Sequence, residues 1–140
     1  MSWFREVMNL LYPTPTPVVR PVISDLCDAL NEQRSKFGLS PLVLHPRLNE
    51  AAQGWADKMA ATGKFTHGDW SGRISHIFPN TPDAENIAMG ETVAQIVEMW
   101  MHSPGHRRSI LHPHYNRLGL GEARSLKGQI YWVADFDTEV

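Results

Sequence analysis

A chain of 140 residues is long enough for one buried core and too short for two ordinary domains, so the expectation is a single domain. With 42% hydrophobic and 20% charged residues it lies outside the composition of disordered chains, and a formal net charge of −2 gives no electrostatic ground for binding nucleic acid or an anionic membrane. Cys27 is the single cysteine, which excludes an intramolecular disulfide; its place in an apolar helical run marks it as a packed small residue rather than a nucleophile.

Trp3, Phe4, Val7, Met8, Leu10 and Leu11 predict a short amphipathic helix, which the PTPTP segment stops because alternating prolines favour an extended polyproline conformation. Residues 1–21 therefore read as an arm and spacer, and 22–140 as the domain. So short a helix is marginal alone, and docking of its apolar face on the domain is the first expectation. A homodimer contact and a surface membrane anchor are the alternatives. Arg5 and Glu6 interrupt the apolar residues, so no export signal is visible, and no segment approaches the roughly 18 apolar residues of a membrane span. The chain is expected to be soluble, without a transmembrane segment.

Ile23, Leu26, Cys27, Leu30 and Phe37 follow a helical period that Gly38 ends, predicting a helix of about sixteen residues. Leu48, Ala51, Ala52, Trp55 and Met59 repeat the pattern, with Pro46 suited to the first turn and Gly63 just past the end. Val93, Ile96, Val97, Trp100 and Met101 mark a further helix after Gly90. Leu118 and Leu120 alternate with glycines, and Ile130, Trp132, Ala134 and Phe136 alternate with Tyr131, Val133 and Asp135, as two strands joined through SLKG would. Helices preceding an antiparallel hairpin imply an α+β domain with its helices packed on a small antiparallel sheet.

WMHSPGHRRSILHPHY, residues 100–115, holds four of the seven histidines. Ser103 is a good N-cap and Pro104 a good first helical residue, so the Trp100 helix ends there and a short one begins, with His106 in its first turn. Pro104 and Gly105 also break any helical pairing of His102 with His106, since a proline between them clashes with the preceding turn. His112 and His114 flank a proline and read as loop residues. His45 and His76 have no polar companions at useful spacing.

FTHGD, AENIA, SPGHRRSIL, YNRLGLG and YWVADF, in this order, resemble the successive signatures of the CAP superfamily of cysteine-rich secretory proteins, antigen 5 and pathogenesis-related proteins. The resemblance covers roughly residues 26–137, including the helices that carry NEQR and Trp55. It implies a three-layer α-β-α sandwich and a family that is usually secreted. It also implies that His67, Glu85 and His106 meet in one cleft, corresponding to three of a tetrad of two histidines and two acids. Where many members have the second acid, three positions after the helix tryptophan, this chain has Ser103. Glu98 does not replace it, because five helical residues turn a side chain by roughly 140°.

The resemblance thus implies a metal set of His67, His106 and Glu85 for an optional, weakly held zinc or other divalent ion, the acid serving either as a ligand or as a hydrogen-bond partner of the histidines. Three functions remain open. The first is a binding module for a divalent metal or a small or lipid ligand. The second is a hydrolase, whose catalytic candidates are His67, Glu85, Ser103 and His106, working through metal-activated water or through Ser103. The third is a non-catalytic scaffold, in which Glu85 and the histidines close a buried polar network, Asn86 bonds its own turn and Ser103 caps its helix. The binding module is the favoured reading, without enzymatic turnover.

Overall fold

A computed structural model describes residues 2–11 and 20–139, with Ser2, Arg5 and Asn9 described for their backbone only. Among the described residues the elements follow in the order α1 (Ser2–Leu11), α2 (Pro21–Lys36), β1 (Val43–Leu44), α3 (Pro46–Thr62), α4 (Trp70–Ile77), β2 (Asp83–Met89), α5 (Val93–Met101), α6 (Pro104–Ile110), β3 (Arg117–Arg124) and β4 (Ile130–Asp137). The spatial order of strands is β1-β3-β4-β2. β2 and β3 flank β4 antiparallel, and the two-residue β1 adds a parallel edge to β3. The sheet is therefore mixed at one edge and antiparallel elsewhere.

The helix ends follow local chemistry. Pro21 and Pro46 open α2 and α3, whose first turns have no intrahelical use for the missing N–H. Gly63 closes α3 in the left-handed conformation at φ 71°, and Gly38 takes φ 70° just after α2. Thr92 caps α5 by accepting a hydrogen bond from the Gln95 N–H. His45, expected to lack polar companions, caps α3 with a ring nitrogen that accepts from the Arg47 N–H.

Both sheet faces are covered. On one, Trp132, Ala134 and Phe136 of β4 and Leu118 and Leu120 of β3 pack against Ile23, Leu26 and Leu30 of α2, Ile96 and Trp100 of α5 and Ile110 of α6. On the other, Tyr131 and Val133 of β4 and Ile87 of β2 meet Ala52, Ala56 and Met59 of α3. This second face is close because β3 presents glycines to α3. A Cβ on Gly119 would collide with the Leu48 carbonyl, and one on Gly121 would stand 2.5 Å from the Gln53 nitrogen. The alternating strand β4 is consequently buried along its whole length rather than on one side.

NEQR, in α2, acts as a loop clamp. Asn31 bonds both the N–H and the carbonyl of Leu42, while the buried Arg34 donates to the carbonyls of Ser40, Ile110, His112 and Tyr115. Cys27 is partly buried beside Asn31, and burial, with Asp28 nearby, raises its thiol pKa, in keeping with a packing role.

The arm departs from expectation. α1 forms, but Trp3, Phe4, Met8, Leu10 and Leu11 are exposed, so its apolar face does not dock on the domain. The PTPTP spacer lies outside the described residues. α2 begins at Pro21, one residue before the expected boundary. No helix among the described residues is long and apolar enough to cross a membrane.

Candidate functional site

Two elements absent from the sequence reading, α4 and β2, carry the centre of the site. β2 is the outer strand, and alternate residues point to opposite sides of the sheet. Glu85 and Ile87 face the α3 side; Ala84, Asn86 and Ala88 face the side of α5 and α6. AENIA is therefore a strand segment, not a turn. The Asn86 side chain does not bond its own turn but donates across to the His106 carbonyl at 3.0 Å. The Trp100 indole N–H likewise donates to the Ile87 carbonyl at 3.0 Å, which fixes α5 along the outer strand.

His67 lies in the segment between α3 and α4, and Trp55 shapes that segment. The Trp55 indole N–H donates to the Thr66 carbonyl at 2.9 Å, and its ring rests against Gly68, where a Cβ would stand 2.5 Å from the ring edge. Gly68 also takes φ 57°, so both the conformation and the space require glycine there. Asp69 then caps α4 by accepting from the Gly72 N–H. One turn later Arg73 lies over the Trp55 ring with its guanidinium carbon 4.2 Å from the centroid.

Arg73 and His67 converge on Glu85. The His67 Nδ1 lies 2.9 Å from Glu85 Oε1, Arg73 donates to Glu85 Oε2, and the other Arg73 amino group donates to the His67 carbonyl at 3.0 Å. The Glu85 side chain is fully buried while that of His67 is 43% exposed. An incoming group can reach the imidazole but not the carboxylate. Among the described residues no three His, Cys, Asp or Glu side chains are grouped to hold a metal ion.

His106 enters from α6, on the other side of the outer strand. Its Nδ1 lies 2.9 Å from the Ser103 hydroxyl. Ser103 is the N-cap residue of α6 by position, yet its side chain makes no capping hydrogen bond. The expectation that the hydroxyl serves the helix backbone is thus corrected; it serves the imidazole. Burial, followed by the charge of nearby His67, lowers the His106 pKa, which favours the neutral ring.

The remaining histidines are elsewhere engaged. His102 closes α5 with Nδ1 2.8 Å from the Glu98 carbonyl. His112 stacks on Tyr115 with ring centroids 4.3 Å apart, and His76 and His114 are exposed. Glu98 is exposed as well.

Sequence reasoning misses two charged groups. Arg73 lies four residues past FTHGD, but nothing local aims it at Glu85. Asp135 is fully buried on β4, directly across the ladder from Glu85. Its alternation with Trp132 and Phe136 predicts only that it faces away from them.

Comparison with known proteins agrees with this layout. Residues 27–136 match the family described as CAP, the cysteine-rich secretory proteins. The chain belongs to the CAP family. It is 32% identical over 113 residues to the uncharacterized protein YkwD of Bacillus subtilis, covering 76% of this CAP chain and 43% of YkwD, so it spans less than half of that relative. An outer surface protein of Borrelia burgdorferi has the same fold, with a TM-score of 0.79 at 19% identity over 89% of this chain and 97% of the Borrelia chain. A structure described as NaASP2 with Zn2+ superposes with a TM-score of 0.69 at 12% identity, covering 88% of this chain and 82% of NaASP2. These similarities bear out the α-β-α sandwich.

Proposed function

We propose that this CAP domain is a binding module whose cleft takes a divalent metal ion between the Nε2 atoms of His67 and His106, with Glu85 orienting His67 instead of ligating. The observation that carries this reading is the engagement of both Nδ1 atoms. His67 Nδ1–H donates to Glu85 and His106 Nδ1 meets the Ser103 hydroxyl, which accepts in the tautomer that leaves an Nε2 lone pair. Metal-binding histidines are commonly held this way, with the second nitrogen tied to a carboxylate or oxygen acceptor.

Two imidazoles without a third protein ligand make a weak, solvent-completed site, unlike the closed four-ligand sites that hold structural zinc. The zinc in the structure described as NaASP2 with Zn2+ supports a divalent ion on this fold. The likeness to an outer surface protein of Borrelia burgdorferi supports an extracellular setting.

Hydrolysis through Ser103 is disfavoured by the same geometry, since a serine nucleophile needs a base whose far nitrogen is oriented by a third group. A small apolar or lipid ligand has one observation in its favour. A groove of about 610 Å³ between α2 and α5 has Ala29, Phe37, Val97 and Met101 in its lining, with Glu32, Lys36, Glu98 and Arg107 among the charged residues beside them.

The test is calorimetric titration of Zn2+ into the wild-type protein and into His67→Ala, His106→Ala and Glu85→Gln. The reading expects weak one-to-one binding, lost in either histidine variant and weakened by about 10- to 100-fold in Glu85→Gln, the usual range for removing an orienting partner. Binding that survives His67→Ala, or no binding to the wild type, overturns it.

A further inference from the structure

Glu85 and Asp135 are directly opposed on neighbouring antiparallel strands. The Gly90 N–H donates to the Ile130 carbonyl, so the even-numbered residues of β2 form the hydrogen-bonded pairs of this ladder. Glu85 with Asp135 is then a pair without ladder bonds, in which facing side chains approach closest. Both carboxyl groups are buried on the α3 side of the sheet, Asp135 with no exposed surface at all.

Like charges at such positions repel, and burial magnifies the repulsion. Among the described residues neither Asp135 oxygen has a hydrogen-bond donor. Its β3 neighbour is Gly119, which has no side chain to supply one. The charged groups facing this pocket are Glu85 and Asp83 from β2 and Arg73 from α4. Arg73 spends its amino groups on Glu85 and on the His67 carbonyl. One cation therefore faces two carboxyl groups, and it pairs with Glu85.

We propose that Asp135 is a neutral carboxylic acid at physiological pH and a positioning residue: its proton is donated to Glu85, so that Glu85 is held by three donors, His67, Arg73 and Asp135. The direction of the Asp135 pKa agrees, raised well above the ordinary carboxyl value first by burial and next by the neighbouring Glu85 carboxyl group. With the proton in place the pair carries a single negative charge, matched by Arg73. Glu85 then has a fixed orientation beneath His67, and Asp135 acts on the cleft without being exposed to it. The inference concerns the carboxyl layer alone and stands whether or not a metal binds.

The experiment is carbon-13 NMR of protein labelled at aspartate side-chain carboxyls, titrated in the metal-free state, with Asp135→Asn identifying the signal. The Asp135 carbon is expected at the position of a protonated acid at pH 7. A carboxylate signal at pH 7, titrating near the ordinary aspartate value of about 3.9, overturns the proposal and assigns Asp135 to Arg73 as an ion pair. The positioning role is read from the nitrogen-15 shift of His67 Nδ1. Asp135→Asn keeps a donor and is expected to leave that shift unchanged, whereas Asp135→Val removes the donor and moves it. An unchanged shift in folded Asp135→Val contradicts the positioning role. Should Asp135→Val fail to fold, the wild-type carbon titration and the Asp135→Asn comparison still decide the proposal, since an altered His67 shift in Asp135→Asn contradicts donor replacement.

Discussion

The two faces of the sheet are both covered and differ in what they bury. The face toward α2, α5 and α6 holds Trp100, Trp132, Phe136 and a set of leucines and isoleucines. The face toward α3 is built on glycines and alanines, and toward its β2 edge on a polar layer of Glu85, Asp135 and Arg73. The first face supplies most of the hydrophobic stabilisation, which scales with apolar area removed from water. The second sacrifices side-chain volume for close backbone approach and uses the end of that interface to hold a carboxylate beneath His67. The candidate site lies where the sheet is least oily, at its outer strand.

Substitutions on each face sharpen this contrast. Trp132→Ala on the apolar face should cost about 3–5 kcal/mol, as truncation of large buried aromatics does, and should leave the His67 and Glu85 pairing intact if the protein folds. Denaturant unfolding with an imidazole NMR probe checks both parts. Glu85→Ala on the other face should also be costly, about 3–5 kcal/mol, because it leaves Arg73 and His67 without their buried acceptor. A cost near zero there would mean that the carboxylate layer is dispensable. Gly121→Ala should cost about 1–3 kcal/mol by forcing α3 off β3, with the unfolding midpoint as readout.

Ser103→Ala should be milder, about 0.5–1.5 kcal/mol, the worth of a neutral hydrogen bond and not of a helix cap. Its larger effect should fall on the orientation of His106.

A pH slope is a separate test of the carboxyl layer. Asp135 has a raised pKa in the fold, so its contribution is fully present below the unfolded value of about 3.9 and declines as pH rises toward its folded value. His106 and His112, whose pKa values are lowered by burial, act oppositely: stability falls as pH drops from about 6.5 through their folded values. Urea unfolding from pH 4 to 8 should show the Asp135 decline in the wild type and its loss in Asp135→Asn. An identical pH dependence in the two proteins would contradict the raised value.

The faces also differ in how legible they are in sequence. α2, α3, α5 and the hairpin follow from a helical period, prolines and glycines at helix ends, and the short apolar run of β4 after SLKG. β2 does not, because DAENIAM is buried on both sides and mixes alanines with polar residues, leaving no period to read. α4 is eight residues long and announced only by its Asp69 cap. Within the site, His67, Glu85 and His106 come from a family resemblance, since spacing alone does not bring a loop, a strand and a helix together. Arg73 and Asp135 require the fold itself, because each matters only through a partner on another element. Ser103 is legible as a cap position but not as a hydroxyl without a cap bond, since His106, one turn on, competes for the same oxygen. The exposed face of α1 defeats the expectation of docking, because amphipathicity reveals a face but not its partner.

The most direct test of the central claim is nitrogen-15 NMR of the histidine rings during a Zn2+ titration at neutral pH. The account expects the Nε2 signals of His67 and His106 to move together toward a metal-bound position, the His67 Nδ1 to keep its own proton, donated to Glu85, and the protein to remain folded before any zinc is added. Movement of His102, His112 or His114 in their place, or no change in either cleft histidine, would contradict it.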